Sequence, residues 1–117
     1  MPDDPVDLSR LAQDFGDDHE FLREIYTVYL EDCKERVEQL KKSITDNDPQ
    51  KCSHFAHALK GASANVGAKR VRDVAFELEL AAYASDLSQA EAMFDRLQLE
   101  FQQAGEFLKN FIQNLDK

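Results

Sequence analysis

Apolar residues recur at spacings of three and four along most of the chain. Leu22, Tyr26, Tyr29, Cys33, Val37, Leu40 and Ile44 fall on one stripe, the spacing that lines one face of a helix with 3.6 residues per turn. Cys52, Phe55, Leu59, Ala62 and Val66 form a second stripe, and Val71, Ala75, Leu78 and Ala82 a third. The last runs through Leu87, Ala90, Phe94, Leu97, Phe101, Ala104, Leu108, Phe111 and Leu115, four unbroken heptads. No stretch alternates with the period of two that marks a half-buried strand.

Breakers separate the stripes. Gly16-Asp17 closes a short segment over residues 7–15, Asp46-Asn47-Asp48-Pro49 is a turn, and Gly67 and Ser85-Asp86 punctuate the second half of the chain. Asp48 is suited to cap the next helix and Pro49 to open it, because proline lacks the amide hydrogen that a first turn leaves unpaired anyway. The pattern therefore predicts an all-α fold, an antiparallel up-down-up-down four-helix bundle with a short extra N-terminal helix, residues 1–117 making one domain.

A second, shorter stripe of Phe21, Ile25 and Val28 flanks the main one on the first long helix. The short first helix can cover it through Leu8 and Leu11, or it can stay exposed as a patch where a partner docks. The two are compatible if patch and short helix build one surface.

Composition narrows the class. With 43% apolar residues in 117, the chain has material for a core and is expected to fold. No run of eighteen apolar residues and no basic-plus-apolar leader occurs, so a soluble, cytoplasmic protein is expected. Cys33 and Cys52 fall on apolar stripes and are expected as buried free thiols in a reducing compartment. The net charge of −9 argues against a nucleic-acid partner, which needs a basic footprint, and weakly favours a monomer. Yet residues 48–76 hold five basic and two acidic residues, so this island carries +3 and the remainder −12.

The island contains a glycine that needs a reason. Gly61 stands inside a helical pattern, where it costs about 1 kcal/mol relative to alanine. At about 100° per residue, His57 lies about 160° from Leu59 and so points away from the core stripe. Gln50, Ser53, His54, Lys60, Gly61 and Ala64 share that outer face. A phosphoryl acceptor would need this set of features. Imidazole is largely uncharged at neutral pH and can attack phosphorus through its free nitrogen. Lys60, one turn on, can balance the charge that a phosphoryl group brings. Gly61 removes the side chain that would obstruct a donor's approach to the helix. A lone surface histidine is more often incidental, and an interior glycine can also serve close helix packing. The combination on one face of one helix is what carries weight.

"AHALKGASANVGAKRV" resembles the signature of histidine-containing phosphotransfer (HPt) domains, the four-helix modules of multistep two-component phosphorelays. "FGDDHEFLREIYTVYLED" and "VAFELELAAYASDL" resemble the family's flanking helices, so the likeness covers nearly the whole chain. The resemblance implies that His57 is the phosphoacceptor, that Lys60 stabilises the phosphoryl group and that Gly61 gives access. Ser63 and Gly67 match the rest of the pattern. It further implies a phosphorelay intermediate rather than an enzyme: His57 takes a phosphoryl group from the phospho-aspartate of a receiver domain or hybrid sensor kinase and passes it to a response-regulator aspartate. No cofactor is expected in this chain, magnesium being the receiver's.

The docking surface is expected around Ile25, Val28, His54, Ala64, Lys69 and Arg70, the basic island complementing an acidic receiver pocket. Two other readings remain. His54 and His57, with Cys52 or a carboxylate, could ligate a metal, although no acid stands on the His57 face between residues 49 and 64 and Lys60 would repel a cation. A structural adaptor with an incidental histidine is the other.

Overall fold

The structure, a computed structural model, describes residues 3–115. Its five helices are, in chain order, α1 (Ser9–Phe15), α2 (His19–Thr45), α3 (Pro49–Val66), α4 (Lys69–Tyr83) and α5 (Ala90–Gln113). Each long helix packs on its sequence neighbour, and α2 closes the ring against α5, with α3 and α4 sharing the most extensive contact. Short connections force the neighbours antiparallel, which gives the up-down-up-down bundle that the four stripes predict.

Local chemistry sets the boundaries. The Asp18 carboxylate accepts from the Phe21 amide at 2.9 Å and opens α2. Asp48 does the same for Lys51 at 3.1 Å, with Pro49 in the first turn of α3, satisfying amides that the helix itself leaves unpaired. Gly67 ends α3 in the left-handed conformation, φ 83°, where a glycine pays no Cβ penalty. Its carbonyl accepts from the Asp7 amide at 2.8 Å. The segment before α1 is thereby strapped across the α3–α4 turn, with Val6 buried beneath it.

The core contains the predicted stripes with one rotation. In α3 the buried positions are Cys52, Ala56, Leu59, Ser63 and Val66, while Phe55 and Ala62 sit half-buried at the edge toward α2. Ala56 and Ser63 are small, which suits the close α3–α4 approach, and the Ser63 hydroxyl is paired with the Tyr29 phenol at 2.8 Å. Burial of a hydroxyl is tolerated when it is hydrogen-bonded; apolar periodicity cannot see such a position. Burial pushes the Tyr29 phenol up, against the Ser63 hydrogen bond. Cys33 and Cys52 are buried and free, and burial pushes both thiols up.

α1 covers part of the second stripe on α2. Leu11 is buried and Leu8 packs on the core, while the Phe15 ring lies 4.6 Å from that of Phe21. Ile25 is half-buried, and Val28 remains 46% exposed. The stripe is thus partly covered by α1 and partly exposed.

Candidate functional site

His57 stands on the outer face of α3 with its side chain 68% exposed. Lys60 comes one turn later and Gly61 opens the helix surface beside them. A Cβ built on Gly61 meets nothing within 4 Å. Close packing within this chain therefore does not explain the glycine.

The sequence reading missed the residue that organises this face. Glu79 of α4 reaches across to α3, its Oε2 lying 2.5 Å from His57 Nδ1 and its Oε1 accepting from Lys60 Nζ at 2.6 Å. One carboxylate thus holds both members of the His-Lys pair. The absence of acids between residues 49 and 64 holds for α3 itself, but α4 supplies the carboxylate. The pairing is legible in hindsight: α3 and α4 fold back antiparallel about Gly67-Ala68, which sets 57 against 79 and 60 against 76. Lys60 Nζ does sit 5.0 Å from the Phe76 ring centroid, within cation–π range. The core stripe of α4 also leaves Glu79 on the flank facing α3.

This geometry determines the electrostatics. Partial burial pushes the Glu79 carboxyl up, but the hydrogen bonds and charges of Lys60 and His57 outweigh it and hold it below the usual carboxylate value. Glu79 is therefore an anion at neutral pH and can only accept. His57 Nδ1 must then carry the proton, which leaves the lone pair on Nε2. For the neutral ring the arrangement fixes the tautomer of an exposed imidazole and leaves its lone pair on Nε2.

The remaining predicted residues are dispersed. His54 is exposed one turn before His57, its ring edge-on to Phe55 at 5.2 Å. Ala64 is half-buried one turn beyond Lys60. Ile25 and Val28 line a groove with Phe21, Ala62 and Asn65 between α2 and α3, on the Gly61 side of His57. Lys69 and Arg70 are not brought to His57. They open α4, ten and nine residues before Glu79, roughly 15 Å along the axis. Lys69 pairs with Asp7 at 3.3 Å, and Arg70 engages Glu100 at 3.9 Å, Gln103 and the Asp3 carbonyl. Arg72 pairs with Asp73 at 2.8 Å. Most of the basic island is thus locally neutralised, which periodicity and charge counting could not show.

On the other flank α4 exposes Phe76, Leu80 and the 85% exposed Tyr83, an apolar ridge beside Glu79 that the stripes along the sequence did not single out. Cys52 is buried in the α3 core and cannot join His54 and His57 around a metal; among the described residues no group of three or more His, Cys, Asp or Glu side chains is arranged to hold one. Nor, among those residues, is any helix long and apolar enough to cross a membrane.

Gly61 yields a test of clearance against packing. Gly61→Ala should stabilise the fold by about 1 kcal/mol through helix propensity, read by urea unfolding, and Gly61→Gln should also stabilise it. Phosphoryl uptake should fall in the order Gly, Ala, Gln. Destabilisation by alanine would mean that the glycine serves packing after all.

Comparison with known proteins agrees with this fold. A family model described as Hpt domain matches residues 24–115. Multistep phosphorelay regulator 1 of Schizosaccharomyces pombe is 36% identical over 64 residues, 55% of this chain; the match spans 22% of that relative's length. The crystal structure of histidine-containing phosphotransfer protein B (HptB) from Pseudomonas aeruginosa PAO1 superposes with a TM-score of 0.85 at 27% identity, covering 93% of this chain and 95% of that one.

Proposed function

The chain belongs to the Hpt domain family, a phosphotransfer intermediate of two-component signalling, and from that premise we propose that His57 is its phosphoacceptor. The observation that carries the reading is the exposed imidazole whose Nδ1 is held by Glu79, beside Lys60 and the open surface at Gly61. Nε2 attacks the phosphorus of a receiver's aspartyl phosphate, the P–O bond breaks and its electron pair returns to the aspartate. In the second half-reaction another aspartate attacks the same phosphorus and the N–P bond breaks. Lys60 swings from Glu79 toward the phosphoryl oxygens and offsets their charge. The receiver brings the magnesium and the acidic pocket; this chain brings the nucleophile and carries no kinase activity of its own. Buried free thiols suit a reducing, cytoplasmic setting.

Docking is proposed around His57 rather than at the end of the bundle. An interface of standard size covers about 800 Å² per partner, so one centred on His57 reaches the Ile25–Val28 groove on one side, His54 and Ala64 in the middle, and the Phe76–Leu80–Tyr83 ridge on the other. Lys69 and Arg70 are left the lesser role of steering, weakened by their own acidic partners. Val28→Asp should weaken receiver binding about tenfold, as burying a charge in an apolar contact does, with little change in stability because Val28 is 46% exposed. Unchanged affinity would move the footprint off α2.

The relay itself is tested with two receivers. Phosphoryl label loaded on one should reach the other only when this chain is added. Failure across a panel of receivers, with the chain folded, would overturn the proposal.

A further inference from the structure

Glu79 does more in this geometry than fix a tautomer, because its two oxygens hold the two groups whose state decides how firmly a phosphoryl group is kept. We propose that Glu79 sets the lability of the phosphohistidine: it keeps the N–P bond easy to break, so that the chain hands the group on instead of storing it. The inference rests on His57 being the phosphoacceptor.

Half of this effect arises at Nδ1. When Nε2 bonds to phosphorus the ring retains its Nδ1 proton and becomes cationic, and the Glu79 carboxylate at 2.5 Å stabilises that cation. In the onward step the acceptor oxygen attacks phosphorus, the N–P bond breaks, and its electron pair goes to Nε2. With Nδ1 protonated, the departing group is neutral imidazole. Without that proton it is imidazolate, a far poorer leaving group. A carboxylate that holds the proton in place therefore keeps the N–P bond easy to break.

The second half concerns Lys60. Its ammonium sits 2.6 Å from Glu79 Oε1, and the same ammonium is the cation on α3 within reach of a phosphoryl group on His57. Carboxylate and phosphoryl group compete for it, so the phosphorylated state receives less of Lys60 than it would if Glu79 were neutral. Both effects ease cleavage of the N–P bond. The residue is a positioning residue for proton and ammonium, and it touches no phosphoryl atom in the proposed chemistry.

Glu79→Gln keeps the shape and removes the charge. Chemical loading with phosphoramidate, which phosphorylates histidine without any partner protein, gives phosphohistidine on both forms for comparison. The glutamine form should hydrolyse about fivefold more slowly, the difference expected between a charged and a neutral acceptor on one hydrogen bond. Onward transfer to an aspartate receiver should slow by a similar factor. Glu79→Ala should change both in the same direction, and thermal melts of the three forms establish that folding is not the cause. Equal or faster hydrolysis in Glu79→Gln would overturn the inference while leaving the phosphoacceptor reading intact. If neither phosphoramidate nor a phosphorylated receiver labels His57 in the unsubstituted chain, the phosphoacceptor reading falls and the inference falls with it.

Discussion

Replacing His57 by glutamine is expected to reduce phosphoryl uptake by at least about a thousandfold, as removal of a nucleophile does elsewhere, while the bundle melts within a few degrees of the unsubstituted chain. The two halves come from the same geometry. The side chain is 68% exposed, so little apolar surface is lost. Its hydrogen bond to Glu79 can be replaced by the glutamine amide, and glutamine is a good helix former. The chemistry has no such substitute, because an amide nitrogen lacks the basic lone pair that attacks phosphorus. His54→Gln should leave uptake near normal, since among the described residues no carboxylate is seen to fix that ring. Equal loss in the two variants would mean that the histidines act together, and the assignment of His57 alone would be wrong.

The largest effect on folding is expected at Gly67. Its φ of 83° is a region that side chains avoid, at a cost of about 1–2 kcal/mol for alanine. A Cβ there would also land on the Asp7 carbonyl oxygen and lie 3.1 Å from Arg10 Cβ. Backbone cannot give way as a flexible side-chain tip can, so the strap across the α3–α4 turn must lift and lose its Asp7-to-Gly67 hydrogen bond. Gly67→Ala should cost about 3 kcal/mol in total and lower the melting temperature by roughly 10 °C. Gly67→Asn separates the two causes, because asparagine accepts a positive φ more readily. Whatever destabilisation it keeps reports the strap contact. A melt unchanged by alanine would show that neither the conformation nor the strap contributes.

The elements of the fold were legible because each long helix writes its core contacts as one apolar stripe, and because Asp48-Pro49 and Gly67 carry the chemistry of a start and a stop. What the pattern blurred was the interior of α3, where Ala56 and the hydrogen-bonded Ser63 are buried and Phe55 sits at the edge. Small and polar residues in a close-packed seam give no hydropathy signal. In the site, His57, Lys60 and Gly61 could be found from one helix alone, since three positions within one turn are fixed by helical geometry. Glu79 could not, because its place depends on the register between two helices. The pairing of Lys69 and Arg70 was hidden for a related reason: a charge read along the chain says nothing of the acid that folding sets beside it, here Asp7 and Glu100.

If Glu79 holds the Nδ1 proton, His57 Nε2 is the nitrogen that takes the phosphoryl group. A phosphorus–nitrogen correlation NMR spectrum of the phosphorylated, nitrogen-15-labelled chain reads the bonded nitrogen directly. The spectrum should show a single phosphohistidine, at His57, with phosphorus on Nε2 and a proton retained on Nδ1. Phosphorus on Nδ1, on His54, or on no histidine would contradict it.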